Sequence, residues 1–389
     1  MSFDFDTCVR RGPENLKRLL TDESVLHHGS VSLDGAEPDY PTAPVIREAV
    51  RALAENGLFG FTIPDARYRG RVRWWMQASR QVEIREDWIV PTLGTIHALA
   101  SLLRLQNPDG EGALMVMPPV YNRFAQAADR LRMKVVSCPL IECDDRYRMD
   151  IPRLRQLVQQ EDVRVLVVCN PHNPIGQIWT KEELRAVGEA LEDSRVIIFS
   201  DEIFSDNTYG LRCPSFLELS DFHDRLVVST SLGKSFGLTG LNHANLLIPD
   251  PDLRERFSDR RTRDHYGSMD PVAYAATVSG YTEEGLLWVR ASNELCRRNI
   301  LLVKETLRDV LPDARVFGGE GAYVLWLDLR RCFSSEEEMQ DFLLHRAFFC
   351  GDPGSSYGAP GFLRICVATP EREMRRLMED LRAAVESRG

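Results

Sequence analysis

The stretch Val163-Arg164-Val165-Leu166-Val167-Val168-Cys169, running directly into Asn170-Pro171-His172-Asn173-Pro174-Ile175-Gly176, decides the fold. A short apolar run rich in valine and stopped by Asn-Pro steps predicts a strand buried on both faces. The same form recurs on either side of it. GALMVMPP at 112–119, MKVVSCPL at 133–140, RVIIFSDE at 195–202, RLVVSTS at 225–231 and ANLLIP at 244–249 all read as short buried strands. Between them lie amphipathic segments: YNRFAQAADRLR at 121–132, IPRLRQLVQQE at 151–161 and TKEELRAVGEALED at 180–193. The last opens on Thr180 with Glu183 three residues later, the pattern of a capping box. Apolar strands alternating with helices predict an α/β fold with a large, mostly parallel sheet covered by helices. After about residue 285 the pattern changes. A long helical segment at 285–311 leads to AYVLWLDLR at 322–330 and FLRICVAT at 362–369, two strand-like runs with a helix between. The expected organisation is a large domain over 46–285 and a smaller α/β domain made from 1–45 and 286–389.

Composition narrows the classes of function. The 389 residues carry a formal net charge of −10, which disfavours nucleic acid as the main partner. The nine cysteines are scattered without a CxxC pair, so neither a zinc cage nor a dithiol motif is expected, and no metal site. The first residues, MSFDFDTCVRR, lack the apolar core of a signal peptide, and no apolar stretch approaches the ~18 residues of a membrane span. A reduced, cytoplasmic enzyme acting on a small molecule is the expectation.

In an open α/β sheet, ligands bind where strands give way to helices at their carboxyl ends. Three such ends carry polar groups: Asn173 in the Asn-Pro turn, Asp201-Glu202 after RVIIFS, and Leu232-Gly233-Lys234-Ser235 after RLVVSTS. Taken singly, each has an ordinary explanation as a turn former, a cap or a serine-rich turn. Together, on one edge, they suggest a site. The lysines sharpen it, because only five of the 48 basic residues are lysines: Lys17, Lys134, Lys181, Lys234 and Lys304. Lys17 and Lys304 lie in helical patterns and are expected to snorkel to water. Lys181 falls in the first turn of a capped helix, and Lys134 precedes a strand. Lys234 alone follows a buried strand, where partial desolvation would lower its pKa and make it a nucleophilic amine for a Schiff base. An Asp at the end of the adjacent strand suits a cationic ring nitrogen, and the combination points to pyridoxal phosphate.

The three segments 170–176, 200–203 and 231–240, in this order, resemble the fold-type I pyridoxal-phosphate enzymes of aminotransferase class I/II. FDFDTCVRR at 3–11, PDYPTAPVI at 38–46, GLFGFTIPDARY at 57–68, LGTIHAL at 93–99, PPVYNRF at 118–124, GAYVLWLDLR at 321–330, PGSSYG at 353–358 and FLRICVATP at 362–370 further resemble the MalY/PatB-type cystathionine β-lyase branch, the carbon–sulfur β-lyases. That resemblance implies pyridoxal 5'-phosphate as cofactor. It implies Lys234 as the residue that carries the cofactor and shuttles the Cα proton, and Asp201 as the holder of the pyridinium proton. It gives Asn173 a bond to the ring hydroxyl, Tyr121 a stacking role, and Gly94, Thr95 and Ser231 the phosphate. Arg364, which by pattern alone could be a surface strand arginine, would grip the substrate carboxylate alongside Gly35. A homodimer with active sites at the interface is implied too, with Tyr68 or Tyr266 as residues that could reach across.

The same cofactor serves lyases and aminotransferases, so fold cannot separate them. Aminotransferases of this class usually place a phosphate-binding arginine eight residues after the lysine, where this chain has Asn242, closer to the lyase branch. A carbon–sulfur β-lyase cleaving an S-substituted cysteine, thioether or sulfoxide, is therefore the expected activity. An aminotransferase is the alternative, and a non-catalytic cofactor-binding relative a third. There are departures from the branch. The region expected to hold a Trp reads Asp34-Gly35-Ala36-Glu37-Pro38-Asp39-Tyr40, Phe61 stands where a tyrosine is frequent, and Phe204 replaces a Tyr or His. Asp34 and Glu37 thus add acid near the expected entrance, which suggests a bulkier or cationic cysteine conjugate.

Overall fold

The computed structural model describes residues 3–264 and 267–388. Strands β1 (Ile89–Thr92), β2 (Ala113–Val116), β3 (Lys134–Ser137), β4 (Val163–Cys169), β5 (Ile197–Asp201), β6 (Leu226–Thr230) and β7 (Ala244–Leu247) form one seven-stranded sheet in the order β1-β7-β6-β5-β4-β2-β3. Every pairing from β6 through β5, β4 and β2 to β3 is parallel. β7 runs against both of its neighbours. The fold is thus α/β with a mostly parallel sheet, as the pattern predicts. The reversal at β7 was not legible, because ANLLIP looks like any other buried run. The link from β6 to β7 spans 231–243 and holds a four-residue helix, against 202–225 for the parallel return from β5 to β6.

The helices follow from caps and apolar spacing. α1 (Ala66–Arg80) is capped by Asp65, which accepts from the Tyr68 N–H, and buries Tyr68, Val72, Trp75, Met76 and Arg80 on one face. α2 (Thr95–Gln106) starts directly after β1. α3 (Lys181–Ala190) has the full capping box between Thr180 and Glu183. α4 (Leu232–Ser235) is the short helix that carries Lys234, and its cap Ser231 accepts from the Gly233 N–H. α5 (Glu283–Val310) begins where the sequence pattern changes near 285 and buries residues at every third or fourth position.

The later part of the chain forms a second, antiparallel sheet of β8 (Arg315–Gly318), β9 (Val324–Asp328), β10 (Asp352–Pro353) and β11 (Phe362–Cys366), in the order β8-β9-β11-β10. The N-terminal segment is laid along it, with Leu33 donating to the Cys350 carbonyl and accepting from the Cys366 N–H. α5 touches both sheets' surroundings. Asn299 donates to the carbonyls of Val367 and Thr369 beyond β11, and Trp288 stacks on Phe236 just past α4, with ring centroids 5.7 Å apart. Gly176 closes the other contact: at φ +72°, a Cβ there would sit 2.5 Å from the Val324 carbonyl of β9. Among the described residues no helix is long and apolar enough to cross a membrane.

Beneath α4 lies a charged group inside the core. Asp206 accepts from Trp75 Nε1 (3.0 Å), Ser79 Oγ (2.7 Å), Arg80 Nε (2.8 Å), Arg80 NH2 (3.0 Å) and Ser235 Oγ (2.6 Å). Burial alone would raise its pKa, but the adjacent Arg80 charge and the hydrogen bonds outweigh it and hold the carboxyl below the usual range. Removing one partner of such a pair strands the other, at a cost of about 3–5 kcal/mol. Asp206→Ala is therefore expected to lower the unfolding free energy by about that much in urea titrations. A carboxyl depressed in the fold stabilises fully above its unfolded pKa and less as pH falls through the folded one. The gap between wild type and Asp206→Ala should hold above about pH 4 and narrow below it.

Candidate active site

Strand register builds the floor of the site. Cys169 at the end of β4 pairs with Asp201 at the end of β5, and Asp201 pairs with Ser229 on β6, so the three lie in a row at the carboxyl edge. Above them opens a cavity of about 760 Å³. Asn173, Asp201 and Lys234, from three successive strand ends, all line it, with Gly35, Gly94, Thr95, Tyr121, Ser231 and Arg364. Of the adjacent pair Asp201 and Glu202, Asp201 faces this space. Glu202 points away and accepts from Ser200 Oγ at 3.0 Å and the Phe216 N–H at 2.9 Å.

Asp201 is almost wholly buried, and among the described residues its carboxylate accepts one hydrogen bond, from the Ile203 N–H to Oδ1 at 3.2 Å. Burial lifts its pKa to about 7, and the Lys234 charge and the Ile203 hydrogen bond only partly offset that. A buried carboxylate so poorly supplied with donors favours a cationic N–H placed over it.

Lys234 shows the opposite shift. Burial lowers its pKa to about 8, and the Arg364 charge adds to the effect. Its Nζ donates to the Ala36 carbonyl at 2.8 Å and approaches Thr239 Oγ1 at 3.4 Å, with the Phe204 ring centroid 5.4 Å away. Phe204, a departure at sequence level, packs against Tyr323 and forms an apolar wall beside the amine.

Arg364 is 3% exposed on β11. Its NH1 donates to Asn173 Oδ1 at 3.0 Å, while Nε and NH2 donate to Asp352 Oδ2 at 3.1 and 2.6 Å. The same Asp352 oxygen accepts the Gly35 N–H at 2.9 Å, and the guanidinium lies over the Tyr357 ring, 5.2 Å from its centroid. The PGSSYG stretch does not mark Asp352 immediately before it, or Tyr357 within it, as partners of Arg364. Nothing in the pattern announced that a carboxylate there would meet Arg364.

At the other end, α2 presents its N-terminus. Gly94 has φ +107° with open space on its Cβ side, and no side chain caps the helix, so its first N–H groups face the cavity as an anion site. Thr95 Oγ1 lies 2.9 Å from Ser229 Oγ. Ser231 gives its hydroxyl proton to the His243 carbonyl at 2.8 Å, which leaves Thr95 and the α2 N–H groups as the nearer donors. Burial lowers the His243 pKa to about 4, so the imidazole is neutral there, and its Nε2 lies 2.9 Å from Tyr68 Oη. Tyr121 is tied in place by its N–H to the Asn173 carbonyl, 3.1 Å. These residues fit pyridoxal phosphate: a buried carboxylate with a single N–H donor for a ring N–H, a helix start for a phosphate, and a desolvated amine lining the same cavity.

Four expectations need correction. Lys17 does not snorkel; it is buried and ion-paired with Asp39 at 3.1 Å, because the N-terminal segment folds over it. Lys304 is half-buried and donates to the Gly318 carbonyl at 2.7 Å. Tyr68 is fully buried, bonded to Asn245 Oδ1 at 2.7 Å, and so is not placed to reach across an interface. Glu37 and Asp34 are not free acid at the entrance, since Glu37 pairs with Arg11 at 2.8 Å and Asp34 is held by Ser32 and Cys350. Tyr266 lies outside the described residues.

Comparison with known proteins then decides the family. The model for aminotransferase class I and II matches residues 29–381. The chain belongs to this family. Within it, the chain is 29% identical to cystathionine beta-lyase PatB of Bacillus subtilis, over 88% of this chain and 90% of that protein. It is 24% identical to protein MalY of Escherichia coli, over 90% of each. The crystal structure of cystalysin from Treponema denticola, which contains pyridoxal 5'-phosphate, superposes with a TM-score of 0.93 at 28% identity and covers all of both chains.

As a class I/II member with its amine desolvated in this way, the chain should show early titration of Lys234. With the site emptied of cofactor, amine-directed labelling of Lys234 is expected to rise with pH through a midpoint near 8 rather than the ordinary 10.5. Peptide mass spectrometry across a pH series reads this, and a midpoint above 10 would refute the desolvated amine.

Proposed function

We propose that this chain is a pyridoxal-phosphate-dependent carbon–sulfur β-lyase that cleaves an S-substituted L-cysteine to a thiol-type product, pyruvate and ammonia. The observation that carries the reading is the cavity itself, where Lys234, Asp201, Asn173 and Arg364 converge with a helix start opposite. The PatB, MalY and cystalysin likenesses support the lyase branch. Bound here, pyridoxal phosphate supplies an electron sink for negative charge developing at the substrate Cα.

The chain's own groups do the rest. Asp201 would pair with the ring N–H and keep it protonated, Asn173 would hold the ring hydroxyl, and Tyr121 would hold the ring face. Gly94, Thr95 and the N–H groups of α2 would take the phosphate, with Ser231 and Asn242 lining the same cavity. Two of the five Arg364 N–H bonds have no partner among the described residues, and they are offered to the substrate carboxylate next to Gly35. Lys234, with its pKa near 8, takes the Cα proton at neutral pH and can return it. A thiolate leaving from Cβ has a conjugate-acid pKa of about 8.5 and needs little acid assistance. The 2-aminoacrylate so released hydrolyses to pyruvate and ammonia.

The phosphate end favours the lyase over an aminotransferase. Asn242 lines it where an arginine is usual, and His243 beside it is neutral. A homodimer is part of the reading, supported by the apolar segment in which Leu58, Phe59, Phe61 and Ile63 are 59–98% exposed.

Incubation with S-substituted cysteines and their sulfoxides, without any keto acid, is expected to release pyruvate stoichiometrically with thiol-type product. Turnover that requires an added 2-keto acid would instead establish the aminotransferase, and cofactor binding with neither reaction the non-catalytic relative.

A further inference from the structure

Asp352 occupies an unusual place for a carboxylate. It sits on the residue expected to bind the substrate's own carboxylate, and its Oδ2 takes the Nε and NH2 edge of Arg364 before any substrate arrives. The guanidinium side chain is 4% exposed and the carboxylate side chain 25%, so water screens the pair weakly. The backbone N–H of Gly35 fixes the same oxygen, which leaves Oδ1 of this cavity-lining residue without a hydrogen-bond partner among the described residues.

The charges follow. Arg364 is already neutralised by Asp352. When a substrate carboxylate takes the two remaining Arg364 N–H bonds, two carboxylates share one guanidinium and the cluster holds one uncompensated negative charge. An uncompensated buried charge is expensive, and a cation brought by the substrate relieves it. The other acids near the mouth cannot substitute for Asp352 in this role. Glu37 is paired with Arg11, and Asp34, enclosed by Ser32 and Cys350, has its pKa raised by burial. Of the other cations on the wall, Lys234 is pushed toward its neutral form by burial and the Arg364 charge, and Arg123 is exposed beside Tyr121, so water screens it more strongly.

We infer that Asp352 is a specificity-determining residue that selects amino-acid substrates with a cationic side arm and rejects those with an anionic one. The inference rests on the reading of Arg364 as the carboxylate grip and names the charge class of the cysteine conjugate. It moves the acid that does the selecting from Asp34 and Glu37 to Asp352.

The test uses the holoenzyme and shape-matched ligands. L-lysine and its methyl-for-ammonium isostere L-2-aminoheptanoate carry no thiolate leaving group, so their dissociation constants, read from the visible absorbance of the bound cofactor, do not depend on lyase activity. S-(2-aminoethyl)-L-cysteine, S-propyl-L-cysteine and S-carboxymethyl-L-cysteine give the parallel comparison in kcat/KM for pyruvate. Wild type should favour the cationic member of each set by about tenfold or more over the neutral one, and the anionic thioether should be poorest. Asp352→Asn should narrow each preference to within about threefold, while Asp352→Glu, which keeps the charge, should retain it. Equal binding of L-lysine and L-2-aminoheptanoate by wild type overturns the inference, as does a preference that survives Asp352→Asn. If Asp352→Asn does not fold, the wild-type comparison decides alone. Pyruvate from none of the thioethers, with the lysine preference intact, would reject the lyase reading and leave this one standing.

Discussion

Asp206 is the acceptor on which the geometry of the site depends. Through it, α1 is joined to the loop after β5 by Trp75, Ser79 and Arg80, and to α4 by Ser235, the residue next to Lys234. A four-residue helix has no stability of its own, since nucleation alone is unfavourable. It persists because Ser231 caps it, Ser235 is bonded from below, and Phe236 is packed among Trp75, Tyr281 and Trp288. The Lys234 amine therefore stands on a support whose position is set by a buried charge pair and an aromatic cluster, and rigid support of this kind is what a precise site geometry needs.

The electrostatics of the cavity follow from the same economy of water. Asp201 and Lys234 are both pushed toward their neutral forms by burial, the kind of paired shift that clusters at functional sites. A ring N–H beside Asp201 and a phosphate at the start of α2 would restore what desolvation removed. Arg364 is the exception, kept charged by Asp352, with Tyr357 under its plane.

Much of this was legible in the chain. The strands of the large sheet are short valine- and isoleucine-rich runs that cannot be amphipathic helices, and the groups after β4, β5 and β6 fall together because parallel strands put their carboxyl ends on one edge. Lysine scarcity made Lys234 stand out. What sequence could not supply were long-range pairings. Lys17 and Asp39, Arg80 and Asp206, and Asp352 and Arg364 are distant or unremarkable in sequence and meet only when the chain folds back. The antiparallel turn of β7 and the short strands β1, β8 and β10 are not legible in the sequence for a related reason. Pairing direction and edge strands depend on neighbours, and a four-residue run does not name its neighbours.

The central claim is that Lys234, among five lysines, is the amine that holds the cofactor. Borohydride reduction of the holoenzyme followed by digestion and mass spectrometry tests it directly. The account predicts a phosphopyridoxyl adduct on the peptide containing Lys234 and on no other lysine. An adduct on Lys17, Lys134, Lys181 or Lys304 with Lys234 unmodified would contradict it.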